Sequence, residues 1–408
     1  MDFLILYWVS YIIIYINFIL IVNNAIFVTF MKIYSEHSIS PKDIDIAAIK
    51  IINRLQSFDF EAYVVGGGVR DLLLKKKPKD FDIATNATPN QIKKIFRNSR
   101  IIGRRFKLVH IYFYGGKIVE VATFRAEQPA FENTDKTENI YGNIETDSFR
   151  RDLTINALFY NPTNNIIVDY VDGFKDLNNR IIRIIGSPTL RYQEDPVRII
   201  RTLRHQARTG FILEESAQKA LEEQAILLSD CPPMRIYEEF KKDFQSGYFQ
   251  EIFTLMKNYR ILKYFLEDLE KNILKRSINI QDFMFCIKGL DRLALENKLP
   301  SIMPGLAILF LFSNENFNLN DQLLTLFPKQ ADINQFISEN LRTLAISKKE
   351  KHDVGLLLKA LWSLENAYNK NKKFFISDEN KKTDLKILLK LLNLNEQKTY
   401  LNKTFKFL

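Results

Sequence analysis

Asp80 and Asp82 stand two residues apart, and that spacing carries chemistry if both lie on a strand. Residues two apart on a strand share a face. Two carboxylates side by side repel each other unless a cation sits between them. Mg²⁺, or Mn²⁺ in its place, takes carboxylate oxygens and keeps water and substrate phosphates as its other ligands. A paired-metal site of that kind activates an attacking 3′ hydroxyl and neutralises a leaving pyrophosphate. Alone, an Asp-x-Asp is more often a solvated turn. Its setting here is more specific. Gly66-Gly67-Gly68 lies just upstream, between an apolar run and a helical one. Backbone N–H groups in such a turn can cradle a triphosphate, and Arg70 is placed to pair with it.

These residues need a scaffold, and the sequence supplies one. Ser40-Pro41-Lys42-Asp43 reads as a helix start, followed by Ile46, Ile49, Ile52 and Leu55 at helical spacing. A strand is expected over 62–65, a helix over 69–74, a strand over 79–84 and a helix over 88–97. Two strands, 107–114 and 117–124, are joined by Gly115-Gly116, a hairpin signal. Glu120 falls mid-strand in the second. It reads either as a third carboxylate beside Asp80 and Asp82 or as the partner of Arg125 or another cation. From about residue 190 strand signals vanish, and apolar residues recur at helical periods. The expected fold is α+β: a small mixed sheet with helices, then a long all-α region. The expected divisions are 1–30, 31–185, 186–260 and 261–408.

The bulk composition agrees with a large chain acting on a polyanion. The 408 residues carry a net charge of +10 with 46% apolar residues. Excess Lys and Arg favour phosphate-bearing partners, although solubility alone explains them equally well. Cys231 and Cys286 form no spaced cluster, so a zinc site or disulfide framework has no support. That fits a reducing, cytoplasmic setting. Phe3 to Val22 is apolar and long enough to span a bilayer. It reads as a membrane anchor, a buried helix, or translation upstream of a true start at Met31, the last being favoured.

The residues from Val65 to Leu74 and from Pro78 to Pro89 resemble the head of the bacterial tRNA nucleotidyltransferase/poly(A) polymerase family. The resemblance continues through Glu120-Val121-Ala122-Thr123-Phe124-Arg125, Arg150-Arg151-Asp152-Leu153-Thr154-Ile155-Asn156-Ala157-Leu158 and Glu194-Asp195-Pro196-Val197-Arg198-Ile199-Ile200-Arg201. It implies a polymerase-β-like nucleotidyltransferase palm followed by an all-α neck, body and tail. It implies catalysis at Asp80, Asp82 and Asp152, with metal on the first two. It implies nucleotide binding by Gly66, Gly67, Arg70, Arg125, Arg151, Asp195, Arg198 and Arg201. On the expected 195–208 helix, Arg198, Arg201, Arg204 or His205, and Arg208 share one face. In the family, the matching Asp and Arg residues read the Watson–Crick edge of the incoming base, so protein replaces a template.

Within the family, Ile101-Ile102-Gly103-Arg104-Arg105-Phe106-Lys107-Leu108-Val109-His110, Ala122 and Pro232-Pro233-Met234-Arg235-Ile236-Tyr237-Glu238-Glu239-Phe240 look like the poly(A) branch rather than the CCA-adding one. The implied activity is AMP transfer from ATP to RNA 3′ ends. RNA rather than DNA is the expected polymer, with RNA-decay machinery as a further partner and membrane contact only through residues 3–22. Lys241, Lys242, Lys257, Arg260, Lys263, Lys271, Lys275 and Arg276, among Phe240, Phe244, Tyr248 and Tyr259, suit a single-strand groove or ordinary amphipathic helices. An inert membrane-tethered RNA-binding module and a metal nuclease are the competing classes. The intact glycine turn, aspartates and base-reading helix disfavour both.

Overall fold

Apolar-rich runs over 62–65, 108–112 and 118–123 become strands of one sheet. The computed structural model describes residues 31–103, 107–126, 141–275, 280–317, 319, 323–341, 344–370, 372 and 374–392, with the backbone of 18–22 and 25–29. Two compact units are present: residues 1–187 with 212–214, and the remainder.

In the first unit, β1 (Phe18–Val22) and β2 (Ala25–Thr29) form an antiparallel pair of their own. The main sheet holds β3 (Lys32–Tyr34), β4 (Ala62–Val65), β5 (Asp82–Thr85), β6 (Ser99–Ile102), β7 (Leu108–Tyr112), β8 (Ile118–Thr123), β9 (Phe159–Asn161) and β10 (Ile166–Asp169), in the order β3-β10-β9-β4-β5-β8-β7-β6. Among the described residues of this sheet, β5 and β8 run parallel and the other neighbours antiparallel. Helices α1 (Ile46–Gln56), α2 (Gly67–Leu73), α3 (Pro89–Ile95), α4 (Ile144–Phe149) and α5 (Gly173–Asn178) complete it. Ile51, Ile52, Leu55, Ile83, Ile92, Val109, Ile111 and Val121 are buried in the core of this unit. A short parallel pair, β11 (Ile181–Ile182) and β12 (Ile212–Leu213), returns the chain briefly to this unit.

The second unit is helical: α6 (Pro188–Glu194), α7 (Val197–Thr209), α8 (Glu215–Gln224), α9 (Pro233–Phe244), α10 (Phe249–Asn258), α11 (Glu267–Leu274), α12 (Ile280–Leu295), α13 (Met303–Phe312), α14 (Leu323–Leu326), α15 (Asp332–Glu339), α16 (Lys348–Asn369) and α17 (Glu379–Leu392). Every residue of α13 from Pro304 to Phe312 is buried. A helix that is apolar all round belongs in the centre of such a unit.

Several expectations are corrected. Pro41 opens a single 3₁₀ turn, and Asp45 caps α1 through the Ala47 N–H at 2.7 Å. Ile46 sits outside the core at 71% exposure, because it is the first helical residue, and Ala47 and Ala48 turn inward instead. The strand expected over 79–84 begins at Asp82, leaving Asp80 in the preceding loop. A strand, β12, recurs beyond residue 190. β3, a strand not among those expected, joins the sheet by pairing with β10. No helix among the described residues is long and apolar enough to cross a membrane. Residues 3–17 of the apolar N-terminal stretch, Arg104 to Phe106 and Arg276 lie outside the described residues.

One interaction in the second unit ties stability to pH. Asp291 on α12 is buried and accepts from the N–H groups of Phe249 (2.7 Å) and Gln250 (2.8 Å), capping α10 from a neighbouring helix. Burial outweighs these two bonds and pushes its carboxyl up to about 6. Its folded pKa therefore exceeds the unfolded one. The stability it contributes is full below pH ~4 and is lost as pH rises through ~6, by about 3 kcal/mol. Asp291→Asn is expected to flatten that part of the stability–pH curve, read by denaturant melts from pH ~4 to ~7. Asp291→Ala, which leaves two buried N–H groups unmet, should cost about 1–3 kcal/mol at every pH.

Candidate active site

The glycine turn is shaped by Gly66, whose φ of 71° a side chain rarely adopts. Its N–H is used by the Leu158 carbonyl at 3.4 Å, so any phosphate cradle here must draw on the N–H groups that follow. A methyl group at Gly68 would meet the Asp80 carbonyl at 3.4 Å, which is ordinary contact. The start of α2 thus packs directly on the loop that carries Asp80.

Arg70 does not point outward to a ligand. It is 1% exposed, and its guanidinium donates to Asp71 Oδ1 (2.6 and 2.9 Å) and Asn156 Oδ1 (2.7 Å). Burying a guanidinium requires such paired acceptors. Arg70 locks the glycine turn to the segment around Asn156 from inside.

Asp82 and Glu120 come together through strand pairing. Ile83 pairs with Val121 in the parallel β5–β8 ladder, so one step back sets Asp82 beside Glu120 on the same face. Asp82 is surrounded by protein on most sides while its carboxylate stays open to solvent, which describes a concave surface. This partial burial, then the charges of Glu120 and Asp80, push Asp82 up to about 6, with Arg151 opposing. Glu120 meets His110 Nε2 at 3.2 Å across the β7–β8 pair. Its partner is therefore His110 rather than Arg125.

Beside the carboxylates stands a group of guanidiniums that share one acid. Asp147, 1% exposed at the end of α4, receives Arg150 at 2.5 Å and Arg151 at 2.9 Å. Its Oδ1 also accepts the backbone N–H of Arg125 at 3.2 Å. The two arginines hold Asp147 below the usual carboxylate range despite its burial. Burial and then the like charge of Arg150 bring Arg125 down to about 10. Two guanidiniums on one carboxylate, with that of Arg125 close enough to feel both, make a setting for a polyphosphate. Arg151 also donates to the Asn156 carbonyl (3.2 Å) and lies over the Phe159 ring at 4.9 Å. Asp152 follows it, its carbonyl accepting the Ile185 N–H at 3.2 Å. Asp147 is a site residue that sequence reasoning does not pick out. The available signal is its spacing, three and four residues before Arg150 and Arg151.

The donor set suits a hard divalent cation. The crowding of Asp82 by Glu120 and Asp80 is relieved by such an ion, and carboxylate oxygens are what Mg²⁺ or Mn²⁺ prefers. Among the described residues no three His, Cys, Asp or Glu side chains form a closed cage. A cation here would complete its shell with water and phosphate.

Asp195, Arg198 and Arg201 belong to the second unit, at the start of α7. Arg198 donates to Glu194 and to the Arg191 carbonyl, both at 2.8 Å. Arg201 donates to Asp195 at 2.8 Å, and Arg235 of α9 meets the other Asp195 oxygen at 2.9 Å. Arg204 is not part of an open basic face. It is buried against Glu239 and Asp243 of α9. Phe240 and Phe244 are 0% exposed, so they are core rings and not stacking platforms. Lys241 and Lys242 pair with Glu238 and Glu239.

Residues 62–183 match the family described as Poly A polymerase head domain. Residues 210–273 match the one described as Probable RNA and SrmB-binding site of polymerase A. The chain is 46% identical over 240 residues to Poly(A) polymerase I of Escherichia coli O6:H1, covering 56% of this chain and 51% of that one. It thus spans about half the length of that relative. A CCA-adding enzyme of Staphylococcus saprophyticus is 29% identical over 340 residues, 83% of this chain and 75% of its own. The crystal structure of Bacillus stearothermophilus CCA-adding enzyme in complex with CTP shares the fold with a TM-score of 0.61, at 23% identity over 88% of this chain and 81% of that one. The matched head holds the glycine turn, both aspartates, Glu120 and the arginine group, and the helical match follows it in order. Over residues 62–183 and 210–273, in that order, the chain carries the head and the RNA-binding domain of the tRNA nucleotidyltransferase/poly(A) polymerase family.

Proposed function

We propose that this protein is a template-independent polynucleotide adenylyltransferase that adds AMP from ATP to RNA 3′ ends and releases pyrophosphate. The observation that carries it is the set of crowded carboxylates next to the arginine group around Asp147, in a chain that is 46% identical over 240 residues to a poly(A) polymerase. Asp80 and Asp82 would hold Mg²⁺ or Mn²⁺, with Glu120 as the third carboxylate and Asp152 a further catalytic one. Bound divalent cations supply activation of the RNA 3′ hydroxyl and neutralise the charge that builds on the pyrophosphate. Arg125, Arg150 and Arg151 hold the triphosphate, and Gly66 to Gly68 let the backbone approach it. Asp195, Arg198 and Arg201 read the base: a carboxylate accepts from an exocyclic amino group, and a guanidinium donates to a ring nitrogen or carbonyl. Adenine and cytosine carry such an amino group, whereas uracil does not.

The likeness to CCA-adding enzymes over 83% of the chain favours one competing reading, addition of CCA to tRNA. The discriminating test supplies Mg²⁺ with each nucleoside triphosphate singly, then ATP and CTP together, on a plain oligoribonucleotide and on a tRNA lacking its terminal CCA. Extended incorporation of AMP alone on either RNA is expected. Incorporation that requires CTP and stops once the tRNA end is complete would assign the CCA reaction instead.

A further inference from the structure

The carboxylates are one end of a longer row. Arg100 pairs with His110, and His110 with Glu120, in the antiparallel β6–β7–β8 ladders. With Asp82 beside Glu120, four strands present Asp82, Glu120, His110 and Arg100 side by side on one face. Neighbouring strands lie about 4.8 Å apart, so this row runs about 14 Å from the carboxylates to the sheet edge. Tyr112, 38% exposed, stands two residues beyond His110 on the same face, with the two rings 6.4 Å apart in an edge contact.

At the ends of β6 and β7, next to Arg100 and Tyr112 in sequence, those ends and α1 enclose a groove of about 530 Å³. Lys50, Asn53, Arg54, Asn98 and Phe113 line it, and no carboxylate does. Charge is segregated along the same stretch of chain. Residues 83–119 contain eight Lys and Arg and no Asp or Glu, in a protein with 48 acidic residues in 408. Lys50, Arg54, Arg97 and Arg100 are exposed and have no carboxylate partner among the described residues. Bare cations next to open rings suit a single-stranded nucleic acid, whose phosphates need the first and whose bases stack on the second.

We infer that the open face of β8, β7 and β6 and this groove carry the single-stranded RNA that leads to the 3′ end. Its bases lie against His110 and Tyr112, and its phosphates follow Arg100, Arg97, Arg54 and Lys50. This surface uses no residue of the helical segment 210–273, and it rests on reading the carboxylates as an RNA 3′-end site. An acidic polypeptide has charge to match the cations but no regular series of aromatic bases to stack on the rings.

The test uses the full chain with Arg100→Glu, Tyr112→Ala and the pair Lys50→Glu with Arg54→Glu, each checked by thermal melting for an intact fold. AMP addition is followed on RNA primers from about 4 to about 16 nucleotides long. KM for the longest primers should rise about tenfold. kcat and the KM of the shortest primers should not change. The salt dependence of long-primer KM should also become shallower, by about 0.7 in log–log slope for each phosphate left without its cation. Equal effects on all primer lengths, or none, would overturn the track. Displacement of a long RNA by polyglutamate as readily as by RNA would assign the surface to an acidic protein instead. If the wild type adds no nucleotide to any RNA, the functional reading fails. The track is then judged by equilibrium binding of the longest RNA, which the variants must weaken for it to stand.

Discussion

Asp82→Asn should lower AMP incorporation about a thousandfold or more, while the fold holds or gains stability. The two effects share one cause. Asp82 is crowded by Glu120 and Asp80, and that crowding adds to burial in pushing its carboxyl up to about 6. Without a cation the arrangement stores repulsion. Removing one charge relieves it, by about 1 kcal/mol at most after allowing for the solvent that Asp82 sees. With a cation the same charge becomes a ligand, and losing it removes the site. Thermal melts with and without Mg²⁺ separate the two. Wild type should gain more from Mg²⁺ than the variant, because a ligand stabilises only the state it binds. A variant that keeps a tenth of wild-type turnover, or that gains equally from Mg²⁺, would remove Asp82 from the catalytic role.

What could be read from the chain alone was what has local signals. β4, the glycine turn and the β7–β8 hairpin are marked by alternation and by glycine, which act over a few residues. β3 pairs with β10, more than a hundred residues away, and three apolar-polar residues carry no local trace of that. The side chains that complete the site escape for the same reason. Glu120 could be placed on a face but not given a neighbour, since its meeting with Asp82 and His110 depends on register between strands distant in sequence. Arg70 had the right type for a phosphate, yet type does not say which way a side chain points. The buried acceptors of Asn156 and Asp71 decide that. Phe240 and Phe244 fit a stacking surface as well as a core until helix packing closes over them.

Arg204→Ala should be the most destabilising change in the helical unit, at about 3–5 kcal/mol. Arg204 donates to Glu239 Oε2 and to the Glu239 carbonyl, both at 2.8 Å, and to Asp243, which is 0% exposed. Removing the guanidinium leaves a fully buried carboxylate with its closest cation gone. A domain is held by only about 5–15 kcal/mol in total, so the loss should be visible as a large drop in denaturant midpoint. Arg204→Lys keeps the charge but loses the fork that reaches both acids, and should fall between. Arg204→Met with Asp243→Leu removes cation and buried acid together, and should recover most of the stability, as buried ion pairs often do when replaced by apolar groups. That double variant then exposes what the network does besides hold the helices. Glu239 also stands 3.8 Å from Arg201, which holds Asp195, and Arg235 of the same helix holds Asp195 from the other side. The α9 acids and Arg235 therefore set the orientation of the groups proposed to read the base. A stable double variant whose preference for ATP over CTP falls about tenfold or more would assign the network to nucleotide selection. Unchanged preference in a stable double variant would leave Arg204 and Asp243 a packing role only, with base reading fixed locally by Asp195, Arg201 and Arg235.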